Sequence, residues 1–240
     1  MKKIFLSALM LVATLPILAQ LNVQFHYDFA DALYDKELSS RPHWTATVEN
    51  FKADKWGSTY FFVDADFAGN KLASAYTEIS RELRFWEAPI AFHVEYNGGL
   101  AGATGSYNDA YLTGTAWNWA NKDFSKTFSL QLLYKYLANL QIGSKHSWQV
   151  TTVWGIHFAK GLCTFSGYAD LWHDNSVKGN LVLSSEPQFW FNLYALDSVD
   201  DDFKLSLGAE VELSKSLVWP TDGLNDRFYA IPTLAAKWTF

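Results

Sequence analysis

The chain has 240 residues, which is enough for one β-domain, and 17% of them are aromatic. The net charge of −6 at pH 7 argues against a nucleic-acid surface, which needs a basic stripe. The single cysteine, Cys163, excludes an intramolecular disulfide and gives no indication of a metal-thiolate cluster. Many aromatic residues with few Met and Pro favour strands over helices.

The first nineteen residues follow the three-part plan of a secretory signal peptide. Lys2 and Lys3 give a basic start, residues 4–18 form an uncharged apolar run, and Ala19 precedes the predicted cleavage site. The run is shorter than the roughly 20 apolar residues that a membrane-spanning helix needs. We therefore predict a signal peptide over residues 1–19 and one domain over residues 20–240.

After residue 20, apolar and polar residues alternate, which is the period of a strand with one apolar and one polar face. Turn-forming groups such as Asn97-Gly98-Gly99 separate the alternating segments. The pattern predicts about twelve strands, an even number that is typical of single-chain outer-membrane barrels. The predicted strands cover residues 23–29, 43–49, 58–67, 75–86, 90–97, 109–119, 128–136, 148–158, 164–172, 186–195, 203–214 and 227–240.

Alternation also fits a soluble β-sandwich. Three further features favour a membrane barrel instead. Aromatic residues stand near the ends of the apolar faces, as an interfacial girdle would: Tyr134, Tyr136, Trp148 and Trp154. Nearly every strand has an apolar face, with too few other elements to cover them all. The third feature is the final segment, residues 227–240, whose apolar face ends on Phe240.

The final segment resembles the terminal strand of bacterial outer-membrane barrels, which the assembly machinery reads. Pro232 removes one ladder hydrogen bond from it, and we expect a local bulge there. The fold class predicted is all-β: a single antiparallel transmembrane β-barrel in the bacterial outer membrane. Its expected partners are outer-membrane lipid, the assembly machinery that reads the strand ending in Phe240, and a small polar solute.

The order of the segments resembles the Tsx-like superfamily of nucleoside-specific outer-membrane channels, in an uncharacterised branch. The similar stretches cover about half of the mature chain: Thr45–Phe67 with Ala75–Trp86, Gly155–His173 with Leu183–Asn192, and the final strand. The resemblance implies a narrow, monomeric barrel with a keyhole pore and passive uptake of nucleosides. It places no nucleoside-contact residue of the family on a position of this sequence.

If the apolar faces meet lipid, the opposite faces line an acidic lumen. Its predicted carboxylates are Asp28, Glu49, Asp64, Asp66, Glu78, Glu95, Asp170, Glu186, Glu210 and Glu212. Its predicted cations are fewer: Lys135, Lys204, Lys237 and Arg84. An acidic pore favours cations and neutral polar solutes over anions. The alternative is that these charges form structural ion pairs that plug a narrow barrel.

The predicted lumen also contains aromatic side chains, which can stack on a nucleoside-like solute. The alternative is that they only fill the interior of a small barrel. The predicted substrate-binding residues are Tyr60, Phe62, Asp64, Glu78, Glu95, Tyr168, Asp170, Trp172, Glu186, Trp190, Tyr194 and Glu210.

A barrel enzyme acting on lipid or acyl chains, and a barrel anchor without transport, are the alternatives to a channel. His26 with Asp28, and His93 with Glu95, form i, i+2 pairs that could join a serine such as Ser58. Any alternating polar face produces such pairs, and the sequence contains no Gly-x-Ser-x-Gly element. We therefore predict no catalytic residue, no metal and no cofactor.

Overall fold

The computed structural model describes residues 19–240, apart from 102–104, 106, 142, 201 and 219. The described chain forms one antiparallel sheet, which closes on itself because its first strand pairs with its last. The strands are β1 (Ala19–Asp28), β2 (Trp44–Asp54), β3 (Gly57–Ala68), β4 (Lys71–Leu83), β5 (Ile90–Leu100), β6 (Ala110–Ala120), β7 (Lys126–Leu137), β8 (His146–Phe158), β9 (Cys163–His173), β10 (Leu181–Ser185), β11 (Gln188–Asn192), β12 (Leu205–Lys215) and β13 (Phe228–Thr239). Residues 1–18, with most of the predicted signal peptide, lie outside the described residues.

The strands β10 and β11 together form one strand of the wall, so the described barrel has twelve. Both pair with β9 and β12, and the register does not shift between them. The interruption falls at Glu186 and Pro187, because proline has no backbone N–H to give to the ladder. Gly167 lies opposite, where a Cβ atom would come within 2.4 Å of the Glu186 carbonyl oxygen. The predicted closed antiparallel barrel of about twelve strands is confirmed.

The connections define two ends of the barrel. The turn end carries residues 55–56, 84–89, 121–125, 159–162 and 193–204, and also the start of β1 and the end of β13. The loop end carries residues 29–43, 69–70, 101–109, 138–145, 174–180 and 216–227.

The wall of the barrel is apolar outside and polar inside. Phe25 and Leu132 are each 56% exposed on the outer surface, whereas their chain neighbours Gln24 and Gln131 are 2% and 8% exposed inside. A continuous exposed apolar surface of this kind is the mark of a membrane or protein contact. The predicted division of each strand into an apolar and a polar face therefore corresponds to the outside and the inside of the barrel.

Among the described residues, no helix is long and apolar enough to cross a membrane.

Aromatic residues form two belts on the outer surface. Near the turn end, the rings of Trp56 and Phe85 lie 5.6 Å apart, centre to centre. Near the loop end, the rings of Tyr27 and Trp44 lie 5.0 Å apart. Tyr134, which the sequence predicts to belong to a girdle, is 46% exposed on this outer surface. Two aromatic belts around an apolar band are typical of a barrel that spans a bilayer.

The predicted bulge at Pro232 is wrong, because the register between β12 and β13 is continuous through it. The pairing of β1 with β13 ends where Asp28 lies opposite Thr233, the residue that follows Pro232. The next contact is a single bond in which the Phe29 amide donates to the Pro232 carbonyl oxygen at 3.1 Å. The missing N–H of Pro232 thus falls where β1 leaves the sheet, so no ladder bond is lost.

From Pro232 back towards the start of β13, the neighbour of β13 is no longer β1 but the first loop, residues 29–43. It contains two short helices, α1 (Ala30–Leu33) and α2 (Asp35–Leu38). Leu38 belongs to a buried apolar cluster with Tyr229 and Ile231, two inward-facing residues of β13. The Tyr34 hydroxyl donates to the Ala230 carbonyl oxygen at 3.4 Å and accepts from the Ala230 amide at 3.3 Å. The loop therefore satisfies an edge that would otherwise be open.

We expect Leu132→Arg to lower the free energy of unfolding in lipid vesicles by about 2–4 kcal/mol, because it places a charge at mid-height on the outer wall. Equilibrium denaturation of the refolded protein in vesicles measures this change. The matched control is Leu72→Arg, at an equally exposed leucine near the end of β4, where we expect about 0–1 kcal/mol. Equal, small effects at both positions would mean that the wall does not lie in hydrocarbon.

Candidate functional site

The barrel places eleven of the twelve predicted binding residues on the inward face of the wall. They come from both sides of the barrel and are positioned by the alternation of β3, β4, β5, β9, β11 and β12. These residues are Tyr60, Phe62, Asp64, Glu78, Glu95, Tyr168, Asp170, Trp172, Glu186, Trp190 and Glu210. Glu186 lies in the interruption between β10 and β11, and the others lie within strands.

Tyr194, which is predicted to line the lumen, lies outside the strands. The strand ends at Asn192, and Tyr194 lies in a 3-10 turn at the turn end, with the Lys204 ammonium 5.4 Å from its ring centre. The Asn192 side chain holds the chain there, donating to the Gly161 carbonyl oxygen at 2.7 Å and to Thr164 at 2.9 Å. The alternation continues past this anchor in the sequence, so the pattern alone extends the strand too far.

Two of the predicted lumen cations are also misplaced. Lys204 precedes β12 and Arg84 follows β4, so both belong to connections at the turn end. Lys135 and Lys237 do lie on inward faces. The strands therefore place fewer lysine and arginine side chains in the lumen than the sequence pattern predicts.

Several inward-facing groups from opposite walls meet at the middle of the lumen. Electrostatic interactions connect Glu78 on β4 with Glu95 on β5 and Asp170 on β9. The phenol groups of Tyr60 on β3 and Tyr168 on β9 both interact with Glu78 and with Glu186. Since β9 pairs with none of β3, β4 and β5, these groups interact across the lumen. The predicted site therefore contains groups from both sides of the lumen.

Some of the lumen carboxylates are neutralised by ion pairs. Arg41 donates to Asp28 at 2.7 Å and also pairs with Glu212. His93 lies 2.9 Å from Glu95 and 3.7 Å from Glu82. For these groups, the alternative of structural ion pairs describes the lumen correctly.

Other lumen carboxylates have no such partner. Among the described residues, the following form no ion pair: Glu49, Asp64, Asp66, Glu78, Asp170 and Glu186. They accept hydrogen bonds from neutral groups, such as Thr47 to Asp64 at 2.5 Å and Tyr76 to Glu78 at 2.8 Å. The strand faces of the lumen therefore carry more acidic than basic side chains.

The two strand lysines of the lumen lie against tryptophan rings. The Lys135 ammonium is 4.2 Å from the ring centre of Trp172 and donates to Gln149 at 2.8 Å. The Lys237 ammonium is 4.0 Å from the ring centre of Trp190, which is 0% exposed. Cation–π contacts therefore hold these charges, and Trp190 has no free face for a solute. Tyr60, Phe62 and Tyr168 remain half-buried at the lumen surface.

The first loop folds over the mouth at the loop end. Arg41 reaches Asp28 on β1 and Glu212 on β12, both of which face inward. Glu37 accepts from Arg227 at 3.0 Å and from the Tyr229 hydroxyl at 2.7 Å, which ties the first loop to the last. We call Glu37, Arg41 and these partners the first-loop latch. Strand patterning could not reveal it, because Glu37 and Arg41 lie between the alternating segments.

One sector of the lumen wall is apolar. Ala110 and Leu112 of β6 and Leu133 and Leu137 of β7 form a buried cluster with Leu140 from the adjoining loop. This sector adjoins β5, where Glu95 is the cross-strand partner of Leu112. Sequence reasoning missed it because β6 carries mostly small and apolar residues on both faces, and because Leu133 and Leu137 alternate with the polar residues Gln131 and Lys135 on the inward face of β7.

Comparisons with known proteins identify the same architecture. A family model described as Domain of unknown function (DUF5020) matches residues 19–240. A NanC porin structure in rhombohedral crystal form has a TM-score of 0.56 at 9% identity, covering 92% of this chain and 100% of that chain. A KdgM porin in complex with disordered oligogalacturonate has a TM-score of 0.48 at 10% identity, covering 92% and 99%. The search of curated protein sequences found no match. At these identities the likeness to the solved structures shows the fold alone, and the resemblance to the Tsx-like superfamily stays a prediction.

We expect Arg41→Gln to raise the single-channel conductance, because it releases the first loop from Asp28 and Glu212 at the mouth. The loss of charge-assisted bonds should also lower the free energy of unfolding by about 1–3 kcal/mol. Planar-bilayer recording and denaturation measure the two effects. The control is Lys36→Gln, an exposed lysine of the same loop. Conductance equal to that of the control would show that the latch does not narrow the pore.

Proposed function

We propose that this chain, which belongs to the family described as Domain of unknown function (DUF5020), is an outer-membrane channel for the passive diffusion of small polar solutes. The channel prefers cations and neutral solutes. The observation that carries the proposal is the set of inward-facing carboxylates without ion pairs, inside a barrel with an apolar outer wall.

The outer surface supports the membrane location. In hydrocarbon every backbone polar group must be satisfied within the protein, and a closed barrel meets this condition. Barrels of the outer membrane have short periplasmic turns and longer external loops. By this rule the turn end faces the periplasm, and the loop end, with the first-loop latch, faces outward. The barrel fold that the chain shares with a NanC porin is consistent with this placement.

The charges of the lumen support the solute preference. Rings of acidic side chains select cations in pores, and low-dielectric walls focus their field. Glu78 interacts electrostatically with Asp170 across the lumen, and the phenol of Tyr168 interacts with Glu78, Asp170 and Glu186. Because the potential is screened over about 8 Å at physiological ionic strength, the preference should weaken in concentrated salt.

Nucleosides are the specific solutes that we propose, from the resemblance to the Tsx-like superfamily. Tyr60, Phe62 and Tyr168 are the aromatic residues that remain available, since Trp190 is covered by Lys237. Stacking of a base on such a ring contributes about 1–3 kcal/mol. A nucleoside is neutral, so the acidic lumen does not repel it.

We expect the refolded protein to form cation-selective channels in planar bilayers, and the double variant Glu78→Gln with Glu186→Gln to be closer to non-selective. Removing two inward-facing carboxylates that form no ion pair among the described residues lowers the negative potential of the lumen. The reversal potential under a KCl gradient measures selectivity. The control is Glu87→Gln, which removes an exposed carboxylate from the connection 84–89 at the turn end. Anion selectivity, or silence of a folded barrel, would contradict the proposed function.

We expect adenosine and uridine to reduce the channel current, and Tyr60→Ala to weaken that block by about tenfold, which corresponds to the loss of one stacked ring. Titration of each nucleoside in the bilayer chamber measures the block. Tyr107→Ala, which changes an exposed tyrosine of the connection 101–109, is the control. A current that is indifferent to nucleosides would remove the nucleoside from the proposal and leave the channel in place.

A further inference from the structure

Three aromatic side chains follow one another along one side of the lumen. Tyr60 and Phe62 face inward from β3, and Tyr76 faces inward from β4. The ring centres of Tyr60 and Phe62 are 6.1 Å apart, and those of Phe62 and Tyr76 are 6.0 Å apart. The two pairs of ring planes are inclined by 52° and 51°. The three rings therefore form a regular series with nearly equal steps.

The series runs along the barrel wall towards the loop end. The strand β3 begins at the turn end, so Phe62 lies nearer the loop end than Tyr60 does. Tyr76 lies directly opposite Asp64, which is two residues further along β3 than Phe62. At the loop end, the ring of Tyr107 packs edge-on against Tyr76, with 5.5 Å between the ring centres. A solute that passes along this wall therefore meets the three inward-facing rings in turn.

All three rings are accessible from the lumen. Tyr60, Phe62 and Tyr76 are half-buried, whereas Trp190 is 0% exposed and has the Lys237 ammonium over its ring. Because the three side chains point inward, the surface that they expose borders the lumen. A solute inside the barrel can therefore contact each of the three rings.

Carboxylates stand beside the rings on the same face of the sheet. Phe62 lies directly opposite Glu49 on β2 and Glu78 on β4, and Tyr76 lies directly opposite Asp64. The Cβ atoms of such cross-strand neighbours are about 4.5–5.5 Å apart. All three carboxylate side chains are half-buried, so they too are accessible from the lumen. A carboxylate has about four acceptor sites, so the bond that Glu78 accepts from Tyr76 at 2.8 Å leaves it able to accept more.

We propose that Tyr60, Phe62 and Tyr76 form a sugar track, which binds a short chain of neutral sugars on its way through the pore. This inference rests on the proposed channel function and adds a substrate class to it. One face of a glucose ring exposes mainly C–H groups, which suit the negative face of an aromatic ring. Its hydroxyl groups stand around the rim, where they can donate to the carboxylates beside the track. A sugar chain repeats this pattern in every unit, as the wall repeats it from ring to ring.

Other solutes match the sugar track less completely. A nucleoside has one base, which covers one ring and leaves two without a partner. An acidic sugar chain has a carboxylate on each unit, which Glu49, Asp64 and Glu78 repel. Lys135 interacts electrostatically with Glu78, and a neutral sugar, unlike a cation, does not compete with it. The combination of rings and acceptors therefore favours a neutral chain with many hydroxyl groups.

The experiment records channel current in planar bilayers in KCl while glucose, maltotriose or trigalacturonate is added. Glucose has one sugar unit, maltotriose has three, and trigalacturonate has the same length but a carboxylate on each unit. We expect maltotriose to reduce the current at concentrations roughly tenfold lower than glucose, because it contacts several rings at once. We expect trigalacturonate to have no effect at the concentrations at which maltotriose blocks. This comparison uses the unaltered protein and does not depend on the folding of any variant.

Two substitutions on one strand locate the effect. We expect Phe62→Ala to weaken the maltotriose block by roughly tenfold, since it removes the middle ring of the track. The matched control is Phe61→Ala, which removes the same ring from the outer face of β3, opposite Ile79, itself 48% exposed. We expect the control to keep the block by maltotriose. Calorimetric titration of maltotriose into the protein in detergent micelles gives the same comparison without a current.

Each outcome separates the sugar track from the channel. Equal block by glucose and maltotriose, or by maltotriose and trigalacturonate, overturns the track and leaves the channel. A block that Phe62→Ala leaves unchanged, or that Phe61→Ala weakens as much, does the same. Silence in the bilayer with calorimetric binding that only Phe62→Ala weakens overturns the channel and leaves the track. Silence without binding overturns both.

Discussion

The whole barrel depends on the pairing of β1 with β13, which runs from Asn22 opposite Thr239 to Asp28 opposite Thr233. Without it the sheet would have two open edges, and unpaired backbone groups are costly in hydrocarbon and promote aggregation in water. The pairing is shorter than β13, and the first loop satisfies the remaining edge through Tyr34 and Leu38. Closure of the wall and cover of the mouth are therefore achieved by one continuous segment, from β1 into the first loop.

Most of the fold follows from a single property of the sequence, its period of two. Alternation decides which side chains face in, because successive residues of a strand point to opposite faces. It therefore locates Glu78 and Asp170 in the lumen without any knowledge of register. It fails at Tyr194, where the tertiary bonds of Asn192 end the strand although the pattern continues. It also cannot show that Pro232 lies where β1 ends, since that depends on which strand is the neighbour.

The composition of the lumen could be predicted, but not its charge balance. Counting acidic and basic residues on inward faces does not reveal which carboxylates find a cation. Arg41 reaches Asp28 and Glu212 from a loop that has no periodic signal. Lys237 lies on an inward strand face but is held by the ring of Trp190. The potential at the centre of the pore thus depends on partners that only the folded chain brings together.

Because the first loop seals the barrel, the connections at the loop end differ in how well they would tolerate an inserted peptide. Insertion of foreign peptide is tolerated where the affected backbone is exposed and makes few bonds. The hairpin at Gly69 and Asn70 meets this condition, because both residues are exposed. An epitope displayed there would leave the wall intact. The same epitope placed between Phe29 and Arg41 would separate Tyr34 from Ala230 and open the side of the barrel at the loop end.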